Sequence, residues 1–369
     1  MSLDVSLQTD PGAISQDPME EARRQVEICN ACRYCEGFCS VFPAINRNKV
    51  FADGDITQLA NLCHNCRGCY YACQYTEPHE FALNLPRALA DARADSWERL
   101  AWPGGLARIF QRSAAAMAGA LVAGFALMFL AIAAIPAGGQ GFYAYLGHGA
   151  MVAIFLPAFL FPLVSIAMSL RTYWREVGGG AVRLADLRAA ALSAGRMKNL
   201  DGGQGQGCNF EKEERYTSGR RHVHQAIMWG FLLCFASTGS GTVLHYVFGS
   251  PAPYDFWTLP KLLGVPGGLL LVLGCVGMVM LKRKADPALG ATGREGGSAA
   301  FIWLLGFVGL SGLLLYAARG TALTGPLLAV HLGAVLTFFL LTPYSKMAHG
   351  FYRFTALVND AGAKAGRTG

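Results

Sequence analysis

The sequence predicts an all-α protein in which a small cysteine-rich helical module precedes a bundle of six transmembrane helices. Of its 369 residues, 53% are hydrophobic and 15% are charged, whereas soluble domains carry about 25% charged residues. Mean hydropathy is +0.32, and eight of the eleven cysteines lie between Cys29 and Cys73. These values exclude a purely soluble protein, and the high apolar content excludes a disordered one.

The chain divides into five segments by composition. We expect a disordered N-terminus over 1–20, the cysteine module over 21–82, a linker helix over 83–112, the membrane domain over 113–354 and a C-terminal tail over 355–369. The first twenty residues contain four carboxylates and no apolar run, so no signal peptide is expected. The cysteines then face a reducing compartment, where such clustering indicates metal or redox chemistry instead of disulfides.

The cysteines form two quartets of identical spacing, with an arginine after the second cysteine of each (Arg33 and Arg67). This spacing is typical of two [4Fe–4S] clusters, where the last cysteine of each motif ligates the other cluster. A structural zinc site is the alternative, but it commonly uses two separated pairs. We predict a first cluster on Cys29, Cys32, Cys35 and Cys73, and a second on Cys63, Cys66, Cys69 and Cys39.

Other residues within and after the quartets give further predictions. Asp55 is expected to cap a short helix that ends at Leu62, which favours an all-helical ferredoxin module. His64, inside the second motif, is interpreted as a surface side chain near the cluster. A helical segment over 83–102 is expected to lead to the first span, with Trp97 and Trp102 at the membrane interface. Cys208, Cys234 and Cys275 are isolated.

Six apolar segments are long enough to cross a hydrocarbon core of about 30 Å. None has an Asp, Glu, Lys or Arg in its middle, which supports transmembrane helices. The predicted spans are 113–135, 149–170, 223–247, 261–281, 299–318 and 325–348.

The connectors between the spans predict the orientation. The second, 171–222, carries ten Lys and Arg, and the fourth, 282–298, carries four, whereas the first, 136–148, carries none. By the positive-inside rule the cysteine module, the loop 172–222 and the C-terminus are cytoplasmic, in a bacterial inner membrane. The net charge of +7 is therefore explained by topology, and nucleic acid is not an expected partner.

No flavin or nicotinamide motif is found. The glycine-rich stretch before Cys208 has no preceding strand and opens no helix on its glycines, both of which a dinucleotide fingerprint requires. An organic redox cofactor such as FAD is therefore expected on a separate polypeptide.

Four histidines lie in two predicted spans, His224 and His245 in the third and His331 and His349 in the sixth. Imidazole is a common axial ligand of haem, and ionisable residues in spans are candidate functional groups. His331 and His349 are eighteen residues apart, or five turns, so one helix would present both on one face. The alternative is that these histidines bond backbone carbonyls.

The predicted topology pairs these histidines across the bundle. His224 and His349 fall near the cytoplasmic side and are the first choice for a bis-histidine b-type haem, while His245 and His331 fall near the outer side as a second pair. One or two haems are therefore expected in a cytochrome b-like bundle. His148 and His222 lie at the edges of spans.

The double cysteine quartet, the six spans and the segments 230–236 (GFLLCFA) and 343–350 (PYSKMAHG) resemble the tricarballylate (citrate) utilisation protein B family. The membrane half is similar in outline to the cytochrome b subunits of nitrate reductase and heterodisulfide reductase. The resemblance implies two [4Fe–4S] clusters and b-type haem on this chain. It also implies a separate FAD-dependent dehydrogenase that oxidises tricarballylate, whose reduced flavin this chain reoxidises.

We therefore expect a membrane electron-transfer protein that passes electrons from the partner's flavin through the clusters and haem to a membrane quinone, with no catalytic residue of its own. The first alternative reverses the flow and makes it the quinol-oxidising anchor of a terminal reductase. The second, a transporter or metal sensor, predicts charges and broken helices within the spans, and no convincing pair is present.

Overall fold

The computed structural model describes residues 15–135, 138–202, 205–211 and 215–367. Within those ranges the regular structure is helical, and the only β-pairing is two isolated bridges. The predicted all-α class is therefore confirmed. Most of residues 1–20 lie outside the described part of the chain.

Five helices form the N-terminal module: α1 (Pro18–Cys32), α2 (Val41–Ile45), α3 (Asp53–Leu62), α4 (Gly68–Tyr71) and α5 (Leu85–Leu100). Asp17 starts α1 by accepting hydrogen bonds from the backbone N–H groups of Met19 and Glu20 at 2.8 and 3.0 Å, so helix begins inside the segment expected to be disordered. Asp55 caps α3 as predicted, because its carboxylate accepts from the Ala52 N–H at 2.9 Å.

The segment expected to be a linker belongs largely to the module, since α5 packs on both α1 and α3. Trp97 is only 3% exposed, and its indole N–H donates to Asn61 Oδ1 at 2.8 Å. The expected interfacial position of Trp97 is therefore wrong: the indole is used inside the module. Trp102 remains 42% exposed.

Nine helices complete the structure within the described residues: α6 (Leu106–Arg112), α7 (Ala114–Ala134), α8 (His148–Glu176), α9 (Leu184–Arg196), α10 (Gly219–Tyr246), α11 (Leu259–Lys284), α12 (Glu295–Ala317), α13 (Thr324–Leu341) and α14 (Ala348–Lys364). Six of them, α7, α8 and α10–α13, are long and apolar enough to cross a membrane. The six predicted spans are thus confirmed, and the protein is a multi-pass membrane protein.

The sixth span differs from its prediction at its C-terminal end. Helix α13 ends at Leu341, a single 3₁₀ turn follows over Thr342–Tyr344, and α14 begins at Ala348. Pro343 stands in the break and has no N–H to continue the helix. His331 and His349 therefore lie on different helices, and the prediction that one helix presents both is wrong. Much of the expected C-terminal tail belongs to α14.

Helix α10 packs closely along α11 but only loosely on its other neighbours. A Cβ atom added to Gly230 of α10 would lie 2.5 Å from the backbone N of Leu271 in α11, so the two backbones touch where a side chain cannot fit. Towards α13 and α8, α10 makes ring contacts, such as Phe231 with Phe338 at 5.6 Å and Phe235 with Phe159 at 6.1 Å.

The module docks on one end of the bundle. Buried Glu98 of α5 is bonded by Arg112 of α6 at 3.0 Å and pairs with Arg294 before α12, and Asn65 donates to the Leu289 carbonyl in the fourth connector at 2.9 Å. Gln58 of α3 donates to the Ala356 carbonyl of α14 at 2.9 Å. The module, the fourth connector and α14 therefore lie at the same end of the bundle.

Candidate functional site

The structure brings the eight cysteines of the quartets into two groups. Cys29 lies near Cys32, Cys35 and Cys73, whereas Cys39 lies near Cys63 and Cys66. Cys69 is closest to the second group, and all eleven cysteines are free of disulfides. The last cysteine of each motif has thus crossed to the other motif, which is the arrangement that the sequence predicts for two clusters. The ligand assignment itself remains a prediction.

The two groups differ in their access to the surface. The first lines a cavity of about 280 Å³ that Tyr34 and Tyr75 border, and its Cys32 is exposed. The second lines a narrower cavity and is covered by the segment 205–211, where the Asn209 N–H donates to the Cys66 carbonyl at 2.9 Å. The first group is therefore the outer one and the second the inner one.

The spacing within each group suits a bulky ligand. A single zinc ion needs its ligand atoms within about 2.3 Å of one point, and no three His, Cys, Asp or Glu side chains of the described residues converge in that way. The cysteines instead border cavities. The chemistry of the donor set, four thiols in each group, matches a four-iron cluster.

The repeat in the sequence is also a repeat in the backbone. Arg33 and Arg67, which follow the second cysteine of each motif, both adopt left-handed conformations, with φ of 58° and 71°. This conformation is uncommon for a residue with a Cβ atom. It turns the chain sharply between the second and third cysteines of each motif, so that all three can border one cavity.

Cysteine thiols in both groups have raised pKa values. Burial, together with neighbouring thiols, raises the pKa of Cys66 to about 11 and that of Cys35 to about 12. Both thiols are therefore protonated at neutral pH, and metal must displace these protons, since the thiolate is the ligand.

His224 of α10 and His349 of α14 come together at the module end of the bundle. Their ring centroids are 5.8 Å apart and the rings are nearly perpendicular at 82°. With metal–imidazole bonds of about 2 Å, two rings on one metal have centroids roughly 6 Å apart. The spacing would therefore allow both histidines to bind one iron.

The tautomers also fit an iron site. His349 Nδ1 lies against the Lys346 carbonyl oxygen, so it carries the proton and leaves Nε2 available as a ligand. His224 Nδ1 is buried with no hydrogen-bond partner in the described part of the chain, an orphaned polar atom in a place where such atoms are rare. Burial, with His224 and basic neighbours, lowers the pKa of His349 well below its usual range, so the ring is neutral, as a metal ligand must be.

The predicted outer pair is not brought together. The His245 ring stacks on His148, with centroids 4.3 Å apart, and His148 Nε2 lies 2.9 Å from the Tyr246 hydroxyl. His331 Nδ1 lies 3.0 Å from Ser311 Oγ on α12. His148, placed by the sequence at the edge of its span, is therefore the neighbour of His245. His148 begins α8 and His245 lies near the end of α10. In the predicted topology these two helix ends lie on the same side, and this position could have predicted the contact.

His64 is not the surface side chain that we expected. It lines the inner cavity with the second cysteine group, and its Nδ1 lies 2.7 Å from the Leu62 carbonyl oxygen. Burial and the nearby Arg353 lower the pKa of His64 well below its usual range. The long connector also contributes, since Cys208, isolated in the sequence, packs against Cys66.

The paired cysteine groups and the six spans define a multi-pass membrane protein with an N-terminal ferredoxin-like domain. Residues 22–98 match the family described as Citrate utilization protein B Fer4-like domain, and residues 114–369 match Citrate utilization protein B. The chain is 38% identical over 356 residues to Citrate utilization protein B of Escherichia coli, which covers 94% of this chain and 93% of that relative. The chain therefore belongs to the citrate utilization protein B family. No solved structure matches it.

Membership of this family indicates the general function of the chain. A Fer4-like domain with eight clustered cysteines indicates iron–sulfur clusters and an electron-transfer role. The resemblance that the sequence motifs gave is confirmed, both in the module and in the membrane domain.

Proposed function

We propose that this protein is the membrane electron carrier of an organic-acid oxidation system. It takes electrons from the reduced FAD of a separate dehydrogenase that acts on tricarballylate or a related acid, and delivers them to the quinone pool. The name of the relative, Citrate utilization protein B, supports an organic acid as the substrate of the partner. The observation that carries the proposal is that the exposed cysteine group, the inner cysteine group and the histidine pair lie in order from the surface to the membrane domain.

The order of the three sites follows from their neighbours. Cys32 of the first group is exposed, and Cys69 of the second group lies near Cys35 of the first. Arg353 acts electrostatically on both Cys63 and His349, which places the second group next to the histidine pair. A partner that docks over Cys32 thus reaches the outer group first.

Each set of residues has one role in this proposal. Cys29, Cys32, Cys35 and Cys73 hold the first [4Fe–4S] cluster, and Cys63, Cys66, Cys69 and Cys39 hold the second. His224 and His349 ligate the iron of a b-type haem. When bound, each of these groups accepts and passes on one electron at a time. A reduced flavin holds two electrons, so it would give them up in two single-electron steps. The proposal assigns no haem to His245 and His331, since their rings contact other side chains.

The proposed sidedness rests on the charged connectors. The fourth connector and α14 lie at the module end of the bundle, and so does the basic second connector, whose Arg220 donates to the Asn65 carbonyl at 2.6 Å. Positive connectors remain cytoplasmic in inner membranes. The module therefore faces the cytoplasm, where a soluble flavoprotein can reach it.

The test uses the full-length protein extracted from membranes in detergent. Under anaerobic conditions we expect reduced b-haem bands and two cluster signals by electron paramagnetic resonance after addition of the substrate-reduced dehydrogenase, and reoxidation when a quinone is added. A quinol that reduces the clusters, combined with a dehydrogenase that does not, would overturn the direction of flow. Cys234→Ser, a change outside both cysteine groups, is the control variant for these reduction and reoxidation measurements.

A further inference from the structure

Five basic side chains near the inner cysteine group and the His224–His349 pair act electrostatically on one another. We call them the cation layer; its members are Arg93, Arg220, Lys282, Lys346 and Arg353. The charge of Lys346 is opposed by all four of the others, and Arg353 faces Arg93, Arg220 and the Cys63 sulfur. Five cations therefore share one interior region.

Three members of the cation layer are satisfied by neutral groups. Arg93 donates to the carbonyl oxygens of Ala60 and Cys63 at 3.0 and 2.8 Å. Arg220 stacks on the Phe210 ring at 4.2 Å, and Lys282 donates to a serine hydroxyl at 3.0 Å. Their positions are thus fixed by neutral hydrogen-bond and ring partners.

Lys346 and Arg353 are not satisfied in this way. Arg353 Nε is buried without a hydrogen-bond partner, and the one contact found for the Lys346 ammonium is the Trp97 ring, 5.1 Å away. Across the described ranges, no carboxylate forms an ion pair with any member of the cation layer. Burying a cation without a counter-charge is unfavourable, so Lys346 and Arg353 are available to bind an anionic group.

The two unsatisfied cations flank the histidine ligand. Arg353 follows His349 by four residues on α14, a spacing that puts both side chains on one face of the helix, and Lys346, in the turn before α14, also acts electrostatically on His349.

We propose that Lys346 and Arg353 bind the two propionate carboxylates of the haem held by His224 and His349. This inference rests on the haem of the proposed function and deepens it. Haem b carries two carboxylates on one edge, and the cation layer supplies two free cations beside the proposed iron ligands. Charge-assisted hydrogen bonds from ammonium and guanidinium groups to carboxylates are about twice as strong as neutral ones. The haem therefore binds with its carboxylate edge towards the iron–sulfur module.

The experiment measures haem retention and haem potential in the purified full-length protein. We expect Lys346→Gln and Arg353→Gln each to weaken haem retention, measured as haem per protein during dialysis, by about tenfold. Loss of a nearby cation favours the oxidised iron, so the midpoint potential falls; a tenfold effect on the one-electron couple corresponds to about 59 mV. Lys346→Arg keeps the charge and restores both values. Lys284→Gln, the same change at the exposed end of α11, is the matched control.

The outcomes separate this inference from the proposed function. Haem retention and potential in both Gln variants equal to those of Lys284→Gln would overturn it, while the haem bands in the same samples would preserve the proposed function. A change confined to the resonance signal of the second cluster would also overturn it, because the cations would then serve the cluster alone. Wild-type protein without haem bands would overturn both. An unchanged signal of the first cluster shows that a variant is folded.

Discussion

Arg99 of the module donates hydrogen bonds from both terminal nitrogens to the Glu176 carboxylate at the end of α8, at 2.6 and 2.7 Å. The same carboxylate accepts a hydrogen bond from the Thr57 hydroxyl at 2.8 Å. A bidentate arginine–carboxylate pair fixes orientation as well as distance. The second membrane span is thus fastened directly to α3 and α5, the helices that lead into and follow the inner cysteine group.

We expect Glu176→Gln to loosen this attachment. Arg99 is 46% exposed, so solvent screens the pair and the loss is about 1 kcal/mol in the free energy of unfolding of the module. Thermal unfolding in detergent, followed by cluster absorbance, measures it. Arg87→Gln is the control, since the Arg87–Asp91 contact is long at 3.8 Å. Equal destabilisation by the two variants would contradict the prediction.

The crossing of the last cysteines gives a second prediction. Cys39→Ser should remove the signal of the second cluster although Cys39 belongs to the first motif, and Cys73→Ser should remove that of the first, because each lies in the other group. Iron content should fall by about half in each variant. Electron paramagnetic resonance compares Cys39→Ser with Cys66→Ser, and Cys73→Ser with Cys29→Ser. If each variant instead matched the cysteines of its own motif, the crossing would be disproved.

The two left-handed arginines should respond differently to glycine. Arg33 is exposed, so its hydrogen bonds to Asn30, at 2.9 and 3.4 Å, compete with water and contribute little. Arg33→Gly therefore mainly removes a strained conformation, at a gain of up to about 1 kcal/mol. Arg67 is buried and donates to Asn65 Oδ1 and the Phe210 carbonyl at 3.0 and 3.1 Å, so Arg67→Gly loses these bonds and destabilises the module by about 2 kcal/mol. Melting temperatures of the two variants test the contrast. Similar shifts in one direction would refute it.

The start of α1 predicts a pH dependence. Burial raises the pKa of Glu21, but hydrogen bonds from Arg24 and Gln25, both at 2.6 Å, outweigh burial and lower it. A lowered folded-state pKa stabilises the fold above the usual Glu pKa, and this contribution is lost as pH falls through the folded-state value. Unfolding free energy measured between pH 7 and pH 3 should therefore drop less in Glu21→Gln than in wild type. Glu27→Gln, on the exposed face of the same helix, is the control.

Local patterns in the sequence predicted the features that depend on local spacing. The quartets predicted the crossing of Cys39 and Cys73, because in paired motifs of this spacing the last cysteine ligates the other cluster. Apolar length predicted all six spans, since a membrane sets the length of a helix. His224 and His349 came together as predicted, although the helix expected to carry His349 does not extend that far.

Features that depend on tertiary packing were not predictable in the same way. Pro343 gave a visible signal for the break after α13, yet the apolar run continued through it. Trp97 looked interfacial because its sequence neighbours lead to a span, whereas its position is set by Asn61 on a different helix. The cation layer draws on α5, α10, α11, α14 and the turn before α14, so in the sequence its members are five basic residues among 31.

The break after α13 has a consequence for biogenesis. Arg47, just after α2, pairs with Asp360 of α14 at 2.6 Å, and α14 also carries His349 and Arg353. The helices of the N-terminal module leave the ribosome first, but they acquire these contacts only after all six spans have been made and inserted. The N-terminal module therefore remains incompletely packed until α14 has been synthesised. Assembly of the inner cysteine group and of the proposed haem site is in this way tied to the completion of membrane insertion.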